Sequence, residues 1–265
     1  MTAGSNHPTT IFVTMHKAAS SFLAGSFGVV LARLVPGLEV VPFGYKLIRG
    51  TPAEAMALPT KGVVMTRVYP DHVDKIIERE VPDAGRFADK KLIVVRRDPR
   101  DVAISMYYST AFSHPVPPGQ EHWFLPLRKQ LQEMSVCEGV KFHTAKQAIE
   151  EFKTISDVLA QFSHALDAPY ELLVTRPAEW IRLVGNELGW DARISGVMTG
   201  LATQEVSAPK TENANQHKRR VTPGNWRGVF DDELRELFES EIGTLMGGAG
   251  YEWDAAAVGA AGNLH

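Results

Sequence analysis

The run "KLIVVRR", Lys91 to Arg97, constrains this chain most. An unbroken apolar core between charged ends reads as a strand buried on both faces, and such strands belong to parallel sheets sandwiched between helices. The next twelve residues support that reading. "DPRDVAISMYYS" opens with Asp98 as N-cap, Pro99 in the first helical position and Asp101 three residues after the cap. A strand that runs straight into a capped helix is half of a βαβ unit.

The same alternation recurs along the chain. "TIFVT" (10–14) is a short apolar strand, followed by a helical pattern to about Leu34 carried by Phe22, Leu23, Phe27, Val30 and Leu31. "KGVVMTRV" (61–68) reads as a strand, and "PDHVDKIIERE" after it as a helix with Asp71 as cap. "AIEEFKTISDVLAQFSHAL" is a long amphipathic helix. "YELLVT" (170–175) is expected to be a further strand, and "RPAEWIRLVGNELG" a helix with Pro177 near its start and Gly189 at its end. Residues 111–126, rich in proline and aromatics, are expected to form a long loop of the kind used as a lid. The expected fold is an α/β domain with a P-loop-like central parallel sheet and helices on both faces. It is one domain over 1–253, with 254–265 as a frayed tail.

Composition excludes several classes. With 265 residues and 44% hydrophobic content the chain can bury a real core. A net charge of −3 gives no global pull toward nucleic acid or anionic membrane. The single cysteine, Cys137, rules out an intrachain disulfide and fits a reducing compartment. The first residues lack the apolar core of a signal peptide, and no apolar run approaches the roughly 18 residues that cross a bilayer. The expectation is a cytoplasmic protein.

Three fragments suit anions. In "HKAASSF" (16–22), Lys17 and the hydroxyls of Ser20 and Ser21 sit where a helix N-terminus follows a strand. The order is not that of a Walker A loop, in which the lysine comes last. Read alone, the fragment is either an anion site or an ordinary helix start with a surface lysine. Arg97, at a strand end, and Ser105, on the next helix, either converge on one anion or serve locally, with Arg97 paired to Asp101. "HKRRVTPGNWRGVF" (217–230) is either a binding loop or a solvated charge run. One short basic patch is poor support for nucleic-acid binding.

Together, and in this order, the fragments resemble the PAPS-dependent sulfotransferase family, where PAPS is 3′-phosphoadenosine 5′-phosphosulfate. "HKAASSF" is similar to the family's "PKSGTTW", "RDPRDVAISMYY" to "RNPKDVAVSYY", "RRVTPGNWRGVF" to "RKGxxGDWKxxF", and "YELLVTRP" to "YEDLxxDP". The resemblance implies a sulfotransferase that moves a sulfonate from PAPS to a hydroxyl or amine of a small-molecule acceptor and releases 3′-phosphoadenosine 5′-phosphate (PAP). Lys17, Ala18, Ala19, Ser20 and Ser21 would hold the phosphosulfate, with Lys17 bearing the leaving charge. Phe22 would stack on adenine, with Tyr170 and Thr203 near the base. Arg97, Ser105, Arg219 and Arg220 would clamp the 3′-phosphate. No metal is expected.

The departures are specific. Val221 replaces a family glycine, and Arg100 replaces a lysine in what reads as a surface exchange. Many members carry "KTHxP" with a histidine base where this chain has Arg67, which stays protonated. His72 and His114 are the candidate bases, with His16 a third. A homodimer is left open. The alternatives are a P-loop-like small-molecule kinase, marked by a magnesium requirement, and a catalytically silent nucleotide-binding module, marked by PAP binding without turnover.

Overall fold

The computed structural model describes residues 6–43, 61–70, 72, 90–207 and 221–253. Its strands are β1 (Thr10–Thr14), β2 (Glu39–Pro42), β3 (Val63–Val68), β4 (Lys91–Val95) and β5 (Leu166–Asp167). They form one sheet in the order β2-β3-β1-β4-β5, and every pairing is parallel. β1 lies at the centre, in register with β4 from Thr10↔Lys91 to Thr14↔Val95. Alternate residues of β1 and β4 point to opposite faces, yet Ile11, Phe12, Val13, Leu92, Ile93 and Val94 are all buried. The sheet is thus covered on both faces, as the uninterrupted apolar runs require.

The chain divides into two compact units, 1–96 with 154–206, and 97–153 with 207–265. In the first, β1 runs into α1 (Ser20–Phe22), a π turn (Leu23–Phe27) and α2 (Gly28–Leu34). Phe27 anchors this run, edge-on to Phe12 and Phe22 at 5.5 Å and to Trp180 at 6.2 Å. Gly28 has a packing reason: a Cβ there would lie 2.7 Å from Val40 Cγ1. Helices α8 (Pro177–Leu188) and α9 (Ala192–Glu205) complete the unit. Pro177 opens α8, and Gly189, at φ 67°, ends it in the left-handed cap that favours glycine.

In the second unit, α3 (Pro99–Tyr108) starts as expected, with the Asp98 side chain accepting from Arg100 N–H. It continues through a π turn (Ser109–Ser113) to α4 (Glu121–Glu133). α5 (Val136–Gly139) and another π turn (Val140–Thr144) lead into α6 (Ala145–Gln161), whose last residues belong to the first unit. A short 3-10 turn (Asn225–Gly228) precedes α10 (Asp232–Gly248).

Two expectations are corrected. Tyr170–Thr175 is a helix, α7, not a strand. Pro169, at φ −59°, sets the helical entry, and the sheet already ends two residues earlier at β5. Residues 111–126 are not one long loop: the π turn runs to Ser113, and α4 begins at Glu121 with Pro126 inside it. Side chains of α4 hold the intervening bend, Arg128 donating to Thr110 O (2.9 Å) and to His114 O, and Gln132 to Ala111 O (2.7 Å). The helix at "PDHVDKIIERE" and the tail 254–265 lie outside the described residues.

Candidate active site

The loop between β1 and α1 is built from strained backbone. Lys17 (φ 62°) and Ala19 (φ 61°) are left-handed, a conformation that costs a residue with a Cβ about 1–2 kcal/mol. Left-handed residues within a turn aim successive amides into a concavity that suits an anion. The amide of Leu23 closes onto Ala19 O at 3.0 Å. Those of Ser20, Ser21 and Phe22 therefore precede the helical ladder. Lys17 and Ala19 are half-buried, Ser20 is buried and Ser21 is exposed, while Ala18 is fully buried and donates its N–H to Met15 O at 3.3 Å.

The end of β3 meets this loop. Arg67 is the third non-glycine left-handed residue among those described, at φ 56°. Its Nη2 donates to Ser21 Oγ at 3.4 Å. The Tyr69 hydroxyl donates to Ser20 Oγ at 3.1 Å, and its ring stacks on His16 with centroids 3.9 Å apart. His72 Nδ1 accepts the Tyr69 N–H at 3.3 Å, and its ring packs on Phe43. The other ring nitrogen, Nε2, then carries the proton in the neutral imidazole. Phe22 is buried edge-on to Phe27, at the foot of the loop. Tyr69 was missed by sequence reading; a tyrosine just beyond an apolar strand gives no local sign of contact with a loop 49 residues away.

In the same unit, Tyr170 is buried at the start of α7 and donates its N–H to Arg96 O at 2.8 Å. The Arg96 side chain pairs with Asp167 at 2.8 Å and ties β4 to β5. Thr203 lies exposed on α9.

The second unit holds the other charged fragment. Arg97 is buried at the end of the β4 segment, and Ser105 is half-buried on α3. Asp101, 1% exposed, accepts N–H bonds from Gly224 at 2.6 Å and Trp226 at 3.1 Å. Its carboxylate thereby pins the "TPGNW" turn. Burial, then the neighbouring Asp98 carboxylate, pushes the Asp101 carboxyl above the ordinary range, while Arg97 and the two amides pull it back.

The surface expectation for Arg100 is overturned. It is 1% exposed, forked onto Asp98 at 2.8–2.9 Å and sandwiched between Trp226 (3.9 Å) and Trp253 (4.6 Å). A planar guanidinium can stack and pair at once, where a lysine could only pair. His114 is exposed after the π turn, with Nδ1 2.7 Å from Pro115 O. A carbonyl only accepts, so Nδ1 carries a proton, and in the neutral imidazole the lone pair is then on Nε2. Arg219 and Arg220 lie outside the described residues.

Among the described residues no group of histidine, cysteine and acidic side chains could hold a metal ion, and no helix is long and apolar enough to cross a membrane. The mouse sulfotransferase SULT7A1, solved with PAP, matches this fold with a TM-score of 0.52 and 12% identity, over 92% of this chain and 85% of its own. Retinol dehydratase, solved with retinol and PAP, aligns with a TM-score of 0.49 and 16% identity, over 91% of this chain and 82% of its own. No curated protein sequence matches. The model of the sulfotransferase domain matches residues 79–250, which takes in β4, Arg97, Ser105, Asp101 and the "TPGNW" turn. With that match over more than half its length, the chain belongs to the PAPS-dependent sulfotransferase family and is an enzyme of that class.

Proposed function

We propose that this enzyme moves the sulfonate of PAPS to a hydroxyl or amine of a small-molecule acceptor, with Lys17 to Ser21 gripping the phosphosulfate. The observation that carries this is the β1 loop itself. Left-handed backbone at Lys17 and Ala19 sets one cation and two hydroxyls at a helix start whose first amides precede the helical ladder. That donor set fits a phosphosulfate, which offers many acceptor oxygens and spread negative charge.

Sulfonate transfer is an in-line displacement assisted mainly by positioning and charge stabilisation. Lys17 would carry the charge that grows on the bridging oxygen. Motif correspondence assigns Arg97 and Ser105, with Arg219 and Arg220, to the 3′-phosphate, and Phe22, Tyr170 and Thr203 to the nucleoside. Of the two histidines proposed as base, His114 keeps a nitrogen lone pair on Nε2, whereas the Nδ1 of His72 is used by Tyr69 N–H. That favours His114 for the acceptor's proton. A single domain over 1–253 acting in the cytoplasm belongs to the same reading.

The test is a thermal shift with PAP, beside ADP and ATP–magnesium. At about 100 times its dissociation constant, PAP adds roughly 2.7 kcal/mol of stability. The expected result is a shift with PAP alone, lost in Arg97→Ala. A larger shift with ATP–magnesium would overturn the proposal.

A further inference from the structure

We infer that Arg67 is a catalytic residue that binds the sulfonate group itself, sharing it with Ser21; the inference rests on the proposed function of the β1 loop. Three observations converge. The Arg67 guanidinium donates to Ser21 Oγ at 3.4 Å, so an oxygen held by Ser21 is within reach of the same cation. Arg67 stands at the carboxyl end of β3, which pairs directly with β1, where a parallel sheet presents its ligands. Its backbone is left-handed, at φ 56°. Strain of that kind is held only where the surroundings fix it, and it gathers at ligand clamps.

The three non-glycine left-handed residues described in the chain are Lys17, Ala19 and Arg67, and all three belong to this one loop cluster. Two of them carry permanent or near-permanent positive charge. Lys17 is a point charge suited to one oxygen, whereas a planar guanidinium donates in parallel to two. The division of labour follows: Lys17 serves the bridging oxygen, and Arg67 with Ser21 serves the equatorial oxygens of the group in flight.

The step balances without further partners. The acceptor's lone pair forms the new bond to sulfur. The sulfur–bridging oxygen bond breaks, its electron pair leaves on PAP, and the acceptor's proton passes to a base other than Arg67, because a guanidinium cannot accept one. Arg67 stays charged throughout and holds the oxygens as the sulfonate moves from donor to acceptor.

PAP and PAPS differ by the sulfonate alone, which gives a direct test. Both are titrated calorimetrically, without acceptor, into the wild-type chain, Arg67→Gln and Arg67→Lys. Failure of the wild type to bind PAP would mean that the proposed function is wrong, whatever Arg67 does. Given wild-type PAP binding, Arg67→Gln should bind PAP unchanged and PAPS about tenfold or more weakly, as for loss of a charged hydrogen bond. Arg67→Lys should recover part of the loss, because it keeps the charge without the fork. Equal loss for PAP and PAPS, or no loss for either, overturns the assignment. If Arg67→Gln does not fold, as judged by circular dichroism, Arg67→Lys alone decides: weaker PAPS with unchanged PAP supports it, and any other pattern overturns it.

Discussion

Removing the Asp101 carboxylate should loosen a turn more than a hundred residues away in sequence. Its two oxygens take the amides of Gly224 and Trp226 at 2.6 and 3.1 Å inside a buried site. A hydrogen bond to a charged group contributes about 1.5–3 kcal/mol, so two give about 3–6 kcal/mol at most. Asp101→Ala also removes a buried charge that is repelled by Asp98 and disfavoured by burial, which offsets part of the loss. The expected net destabilisation is about 2–4 kcal/mol in urea unfolding followed by tryptophan fluorescence. Amide exchange by mass spectrometry should locate it, with faster exchange in the peptide covering 221–230 than in peptides from β1 or β4. The pH dependence has a definite sign. Because the folded carboxyl binds its proton more readily than the unfolded one, this group's contribution to stability falls as pH rises above its unfolded value, near 3.8. That slope should vanish in Asp101→Ala. A loss below about 0.5 kcal/mol, with unchanged exchange at 221–230, would refute the reasoning.

Two more outcomes rest on single contacts. His7 is buried, its Nδ1 against Pro8 O at 2.8 Å and its Nε2 accepting from the Trp190 indole at 3.3 Å, and burial lowers its pKa below 6.5. The unfolded chain then takes up the proton first, so stability present above pH 6.5 should drain away as pH falls below it. His7→Gln should flatten that slope in urea titrations between about pH 5 and pH 8, and an unchanged slope would remove His7 as its cause. Gly139→Ala places a Cβ 2.2 Å from Tyr107 Cε2, in a ring whose hydroxyl is fixed on Leu131 O at 3.1 Å. Overpacking of this kind costs about 1–3 kcal/mol, and a melting temperature equal to wild type by calorimetry would show that the ring moves freely.

What the sequence made legible is local. β1, β3 and β4 are short apolar runs, and the Asp98–Pro99 start and Gly189 stop are signals confined to a few residues. β2 and β5 went unread because an edge strand of four residues and another of two carry too little pattern to stand out. "YELLVT" misled because Val174 and Thr175 suit strands, while the deciding residue, Pro169, stands outside the run. In the site, Lys17 and the serines were visible as a strand-to-helix junction. The contacts that close on them were not: Arg67 stood out only as a departure from the family's histidine and Tyr69 not at all, since they reach Ser21 and Ser20 across 46 and 49 residues. Arg100 looked like surface because arginine usually is. The neighbouring Asp98 and the distant Trp226 and Trp253 make a place for it inside.

The left-handed backbone at Lys17, Ala19 and Arg67 has a consequence for anyone who wants a hardier version of this enzyme. A routine that scores substitutions by relief of torsional discomfort would choose these positions first and offer glycine at each. At Ala19 that exchange leaves every charged donor in place; at Lys17 and Arg67 it deletes the cation along with the discomfort. Screens on melting temperature alone would therefore select a tougher protein that lacks the two cations on which the proposed phosphosulfate site depends, and durability and turnover should be measured on the same clones from the first round.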